Sequence, residues 1–548
     1  HLKVSATSSP FLVRATGTSA QVSAAFRTSL KTYRKNKTTY FANATAAVLP
    51  AALAASVDGV VGLANTVRVH ADIKPDLTRA AAPSASCELP LPTRQQFITI
   101  AKTGVRPPDG YGAAPGCNGL SPKQENSIYG APSAGPRGKG KGVTLGLFEL
   151  SAYQARDVRA YTSTFYGPGY NPPLSDVYVD GGPIRPNCPL GDTCPADING
   201  YAGDIEVDAD IETQLAIAPD VLHLLVYNAP NDFTGQTSLD EYARIASDDA
   251  ADSVSSSWGL CENDTGAGYA QAENLIFEQM ALQGQSMFSS AGDSGAFDCL
   301  GSDGTTVPNV DDPTAQPWVT SVGGTSLEKF NPGQSQHPAY PKGVEAVWNP
   351  GNLCNDSADE AGLPGFAYCD ALGAGGGGNS QFWGRPSYQF GPGVTSKYST
   401  RGNGSTHCSL AGRGQLCREV PDISANANQY TPYGEYCTGG IATINSVCAT
   451  FSGSHTPPGW FGVGGTSLSS PLWSAIIADR DSYLQRRSGN INPLVYQLYR
   501  TSPKKYFHDI TGAGAVPKNN GLFPTRPGFD LATGIGTPIM AALITATR

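Results

Sequence analysis

The segment Gly464-Gly465-Thr466-Ser467-Leu468-Ser469-Ser470-Pro471 leaves an aromatic, Gly-rich stretch and enters an apolar-periodic run. That places Ser467 at a helix start, where unsatisfied N–H groups and the positive end of the dipole favour developing negative charge. A serine there either caps the helix or acts as a nucleophile. A hydroxyl nucleophile needs a base within hydrogen-bond reach, usually a histidine. The seven histidines are His1, His70, His223, His337, His407, His455 and His508, and none opens a helix in a His-Gly-Thr start. His223 sits in an apolar run and reads as a packed core residue. The base is therefore sought among carboxylates.

Asp204-Ile-Glu206-Val-Asp208-Ala-Asp210-Ile-Glu212 supplies them. On a helix, residues four apart share a face, so Glu206 and Asp210 can touch; Asp204/Asp208 and Asp208/Glu212 are alternative pairs. Two such carboxyls do not both ionise easily, and a shared proton suits a base that works in acid. The competing reading is a solvated acidic face, although Leu215-Ala-Ile-Ala-Pro219 argues that one side is buried. Ser289-Ser-Ala-Gly-Asp293-Ser-Gly295 ends an apolar run in a Gly-flanked turn, the kind of strand end where open sheets bind ligands. A protonated Asp293 there can donate to an oxyanion; an Asx-turn explains the segment equally well.

These residues need a rigid frame. Val143–Glu149, Val221–Tyr227, Ser253–Ser257, Ser286–Ser290 and Trp318–Val322 read as buried strands. Ala152–Phe165, Glu206–Ile217, Leu239–Ala246, Ala270–Gln283 and Ser467–Leu484 read as helices. The alternation predicts an α/β fold with a largely parallel sheet covered on both faces.

The chain has 548 residues, enough for more than one domain, with 64 Gly, 42 Pro and 15% charged residues, a loop-rich globular composition. A net charge of −9 offers no basic field for nucleic acid, and the longest apolar stretch, 46–64, is broken by Pro50 and Asp58, so no membrane span is expected. Twelve Cys and Asn-X-Ser/Thr sequons at Asn36, Asn43, Asn263, Asn355 and Asn403 point to an oxidising, secretory setting. Close spacing suggests pairs 188/194, 261/299, 354/369, 408/417 and 437/448, leaving Cys87 with Cys117. Without a C-x2-C pair, thiolate ligation of zinc is disfavoured. Nothing at His1 resembles a signal peptide, so the chain reads as already processed or trimmed.

Residues 1–84 carry +7 and the remainder −16. The basic run Arg27–Lys37 reads as a solvated helix face and its loop, but opposite balances also attract, and acid weakens that attraction. Prolines and glycines between Arg79 and Lys123 predict a linker without long regular elements.

Together the nucleophile, acid and turn segments resemble the sedolisins, or serine-carboxyl peptidases, kumamolisin-like, acid proteases of subtilisin-like fold. Gly-Gly-Thr-Ser467 with Pro471 resembles their nucleophile motif, and Ala-Gly-Asp293-Ser-Gly their oxyanion element. Glu206-x-x-x-Asp210 followed by Ala218-Pro219 matches the spacing of their acid pair, with Ala209 where Leu is usual. The resemblance implies that Ser467, Glu206, Asp210 and Asp293 are catalytic. Ser-Ser257-Trp258-Gly259 and Phe148-Glu149-Leu150 resemble elements that extend the catalytic network, implicating Glu149 and Trp258. Asp509-Ile510 and Arg526-Pro-Gly528-Phe-Asp530 resemble the family's calcium site, with Asp509 and Asp530 as carboxylate ligands and Ile510, Arg526 and Gly528 as carbonyl ligands.

Residues 10–70 resemble the latter part of the family's prodomain. The implied organisation is a partial α+β prodomain at 1–84, a linker with the activation cleavage region at 85–120, and the peptidase domain at 121–548. The implied protein is a secreted, monomeric zymogen acting on proteins or peptides, with its prodomain as intramolecular inhibitor and no nucleic-acid or membrane partner. An endopeptidase is expected. A tripeptidyl-peptidase, a binding protein on an inactive scaffold and a His-dependent subtilisin-type protease are the alternatives.

Overall fold

The computed structural model describes residues 2–35, 38–66, 69–76, 94–103, 119–132, 138–183, 203–232, 234–302, 304–327, 345–355, 359–360, 363–364, 367–437, 459–511 and 518–547. Its frame is an eight-stranded sheet: β1 Thr144–Glu149, β2 Leu174–Tyr178, β3 His223–Asn228, β4 Ser253–Ser256, β5 Ser286–Ser290, β6 Thr320–Leu327, β7 Glu345–Val347 and β8 Ile423–Asn426. The order is β7-β6-β5-β4-β1-β3-β2, with β8 on the other side of β6. Every pairing is parallel except that of β7 with β6.

Four helices matter to the site: α1 Asp204–Ile217, α2 Gln236–Asp248, α3 Ala267–Gln283 and α4 Thr466–Leu484. Strand residues alternate between two cores. Leu145, Leu147 and Phe288 join Val207 of α1 and Leu472 of α4, whereas Phe148, Val254 and Met287 join Tyr242 of α2 and Phe277 of α3. Both faces are thus covered, as the uninterrupted apolar runs require. The five expected strands and five helices form, with ends moved by a few residues. His223 differs: as the first residue of β3 it is exposed, because its ring lies at the sheet margin rather than under a helix.

The N-terminal part is a small α+β unit. Lys3–Ser5 pairs with Arg14–Thr16, Thr18 and Gln21 cap the helix Ser19–Ala25 reciprocally, and Leu30–Lys35 pairs with Thr38–Asn43. The described part of the basic run from Leu30 to Lys35 is therefore one strand of a hairpin, not a helix face. Thr32, Tyr33, Thr39, Tyr40 and Phe41 favour the pleated surface. A second departure is the helix Arg94–Thr103 inside the expected linker. It contains no Pro or Gly, and Phe97 and Ile98 bury against Leu353, Tyr368, Leu372 and Tyr430.

Three of the expected disulfides are formed: Cys261–Cys299, Cys354–Cys369 and Cys408–Cys417. The pairings proposed for Cys87, Cys117, Cys188, Cys194 and Cys448 lie outside the described residues, as does most of the expected activation region.

Candidate active site

Ser467 is the second residue of α4, entered through Gly465 at φ +113°. α1 lies along α4, joined by Gln214 Nε2 donating to Ser474 Oγ at 3.3 Å. This packing brings the Glu206 carboxyl against the Ser467 hydroxyl, with Asp210 one turn further along α1. Both Glu206 oxygens are buried, and the Ser467 hydroxyl also makes a long 3.5 Å contact to the Ser257 carbonyl. Such loose geometry is common before substrate is engaged.

Asp210 is fixed by Ser257, whose hydroxyl donates to Asp210 Oδ1 at 2.8 Å and lies 3.1 Å from the Ser467 carbonyl. Glu149, at the end of β1, touches Asp210, accepts from Trp258 Nε1 at 2.8 Å, and donates its backbone N–H to Glu241 Oε1 at 2.9 Å. The result is a buried row running from Ser467 through Glu206, Asp210 and Glu149 to Trp258.

Burial pushes the Glu206 carboxyl well above the usual range, and the Asp210 and Glu149 charges add to this; the Ser467 hydroxyl opposes it. Burial also raises Asp210, against hydrogen bonds from Ser257, Glu149 and Glu206. Glu149 is raised by burial and then by Asp210. Three carboxyls in one dry row hold protons between them.

Asp293 follows β5 in the turn containing Gly292 and Gly295, both at positive φ. Its Oδ1 accepts from the Thr466 N–H at 2.8 Å and the Thr466 hydroxyl at 3.0 Å, which ties it to the start of α4. Burial, then the charge of Asp72, raises it well above its ordinary value, against Lys74 and Thr466. A neutral Asp293 is the favoured form, with its buried Oδ2 left for another partner.

Residues 70–76, which no local pattern singles out, fill the cleft. His70–Ala71 pairs antiparallel with Trp258–Gly259, the Asp72 N–H donates to the Ser257 carbonyl at 3.0 Å, and Lys74–Asp76 pairs antiparallel with Gly462–Gly464. In the middle, the Ser467 N–H donates to the Asp72 carbonyl at 3.0 Å. A Cβ on Gly465 would lie 2.3 Å from that carbonyl oxygen and 2.8 Å from Asp293 Oδ2, so only glycine lets both oxygens approach the turn. Residues 70–76 thus lie across the nucleophile as an added strand, with one carbonyl between two candidate oxyanion donors.

The comparisons fit this arrangement. Residues 1–66 match the family described as Pro-kumamolisin, activation domain, and residues 207–490 match the Subtilase family. The chain belongs to the subtilase family, in its sedolisin branch. It is similar to kumamolisin from Bacillus sp. (strain MN-32), 31% identical over 74% of this chain and 60% of that one. It is also similar to sedolisin from Pseudomonas sp. (strain 101), 28% identical over 97% and 74%, and to xanthomonalisin from Xanthomonas sp. (strain T-22), 25% identical over 96% and 55%. Among solved structures, Pseudomonas sedolisin, a serine-carboxyl proteinase complexed with two molecules of pseudo-iodotyrostatin, superposes with a TM-score of 0.56 at 25% identity, covering 78% of this chain and 97% of that chain.

The expected residues Ser467, Glu206, Asp210, Asp293, Glu149 and Trp258 are all brought together. The acidic segment differs from both of its simpler readings, because α1 is buried all round rather than along one side. Asp208 and Glu212 face away from Ser467: Asp208 accepts from the Gln154 N–H at 3.1 Å, and Glu212 lies near Glu435. Sequence reasoning missed the positions of Ser257 beside Asp210, of Glu241 behind Glu149 and of Asp72 in the cleft.

The five expected calcium ligands also converge in part. The Gly528 N–H donates to Asp509 Oδ2 at 2.9 Å, drawing the two loops together, and Asp530 is buried, its oxygens accepting from the N–H groups of Arg526, Ala532 and Thr533. Burial lifts Asp530 to about 7, so its ionised form favours a nearby cation. The Arg526 guanidinium donates to the Gly393 and Phe529 carbonyls at 3.2 Å and is partly buried there. Two carboxylates on adjoining loops are the hard oxygen donors that a divalent ion takes.

Proposed function

We propose that this chain is the latent form of an acid-acting serine-carboxyl endopeptidase. Ser467 Oγ attacks the carbonyl carbon of the scissile bond, and Glu206 takes its proton. The oxygen that becomes negative receives the Ser467 N–H and the Asp293 O–H. Glu206 then returns the proton to the departing amine, and water releases the acyl group from Ser467 by the same route. Asp210 and Glu149 orient and tune Glu206, with Ser257 and Trp258 fixing them. The observation that carries this reading is the Asp72 carbonyl resting on the Ser467 N–H beside Asp293, where a substrate carbonyl would lie.

Endopeptidase action is favoured over removal of tripeptides by the same segment. Upstream of Asp72 the strand runs past Ala71 and His70 to Val69, whose carbonyl accepts from Asn231 Nδ2 at 2.9 Å, so the cleft continues beyond three residues. Relatives named tripeptidyl-peptidase 1 keep the alternative in view. Digestion of an unfolded protein with sequencing of the products decides between them: internal cuts support the endopeptidase, and successive tripeptides refute it.

Asp509 and Asp530, with the carbonyls of Ile510, Arg526 and Gly528, would hold a calcium ion, which when bound supplies positive charge that locks the two loops. The three disulfides support an oxidising, extracellular destination. Among the described residues no helix is long and apolar enough to cross a membrane.

A further inference from the structure

We propose that His70 and Asp72 of the N-terminal segment, with Asp311 of the peptidase domain, form a divalent-cation site that clamps the segment into the cleft, with Asp298 facing Asp311 behind it. One donor atom each from His70, Asp72 and Asp311 lies within 4.8 Å of the others. His70 Nε2 and Asp72 Oδ1 are 3.6 Å apart. Donors around a tetrahedral zinc ion are about 3.4 Å apart, so little movement completes the shell.

Several carboxyl oxygens around this point are buried and unsatisfied. Asp72 Oδ1, Asp298 Oδ2 and both oxygens of Asp311 are buried and receive no N–H or O–H from the described residues. Asp298 and Asp311 face each other, and Asp72 adds a third carboxyl held by the Ser290 hydroxyl at 2.7 Å through Oδ2. Within the segment itself, His70 and then Lys74 act on Asp72. Two glycines keep the space clear: a Cβ on Gly259 would lie 2.1 Å from Asp311 Oδ1, and one on Gly292 would lie 2.3 Å from Asp298 Oδ1.

One imidazole with two or three carboxylates suits Zn²⁺ or Mn²⁺ better than Ca²⁺, which prefers oxygen donors only. The His70 ring is 34% exposed, giving an ion a way in. Since the ligands come from both sides of the cleft, the ion ties the segment to the peptidase domain and is lost when the segment leaves.

The test uses the full chain carrying Ser467→Ala, which keeps it uncut, stripped of metal and titrated with zinc chloride at pH 7 by calorimetry. The expected result is one zinc per chain, bound at least tenfold more weakly after either His70→Ala or Asp72→Asn, and unchanged after His407→Ala at the surface. Circular dichroism checks that the variants are folded. Absence of binding, an affinity in both variants equal to that of the parent chain, or a loss in only one of them overturns the proposal. Binding is read without turnover, so failure here leaves the peptidase assignment standing, and an inactive enzyme does not hide the zinc.

Discussion

Each side chain in the row has a separable duty. Asp293 is asked to remain a donor, so Asp293→Ala in the processed protein should lower kcat by about 10²–10³, the usual cost of one oxyanion donor. Asp293→Asn keeps a donor that never ionises. It should retain more activity than the alanine variant and lose part of the fall on the alkaline side; identical pH profiles for wild type and Asp293→Asn would show that Asp293 ionisation does not shape the rate. Trp258→Phe removes only the indole N–H on Glu149, 2.8 Å away. One hydrogen bond of about 1 kcal/mol corresponds to roughly a fivefold effect, expected in kcat and in the pH profile rather than in KM.

At the scale of elements, the site depends on the turn between the strand Gly459–Gly464 and α4. Gly465→Ala brings a methyl group to within 2.3 Å of the position of the Asp72 carbonyl and forces φ +113° on an L-residue. Peptide hydrolysis should fall by at least about 10², as happens when a carbonyl is displaced by an ångström, while thermal unfolding moves much less than activity. Equal activity would mean that substrate does not approach this turn. The sequence made α4, α1 and the strands legible because their periodicity is local: Ser467 could be placed at a helix start, and Glu206 and Asp210 on one face. It could not reveal that α1 is buried all round, since its acids resemble a solvated face until Glu435 and Gln154 arrive from distant segments. Nor could it place His70–Asp76, whose two partner strands lie near residues 258 and 463. Short antiparallel pairings over such separations leave no periodic trace, and Asp298 and Asp311 are equally silent until the fold gathers them.

For the whole molecule, the N-terminal unit and the peptidase domain have opposite charge balances, and the contact is concrete at Arg14. Its guanidinium bonds Asp180 at 3.1 Å and also meets Asp240. Partly exposed ion pairs contribute up to about 1 kcal/mol, so Arg14→Ala should speed conversion of the latent chain in acid by no more than about fivefold, measured by electrophoresis over time. An unchanged rate would show that docking rests on residues 70–76 alone.

Stability against pH has a definite sign. Burial raises Glu262 to about 8, Glu345 to about 7, Asp479 to about 8 and Asp481 to about 7. Unfolded carboxyls titrate near 4, so between roughly pH 4 and these values the folded state binds more protons. Their contribution is therefore full below about pH 4 and declines as pH rises toward 8. The melting temperature should be higher at pH 4 than at pH 8; the reverse order in calorimetry would contradict the burial of these groups.

The central claim is that a glutamate, not an imidazole, activates Ser467 beside an uncharged Asp293. Its most direct test is kcat/KM of the processed protein and of Glu206→Gln on one peptide across pH 2–8. The expected outcome is a maximum well below neutrality for the wild type and a loss of at least about 10³ for Glu206→Gln at every pH, the upper part of the range for a general base. A maximum at or above pH 7, or a Glu206→Gln variant that keeps its activity, would contradict it.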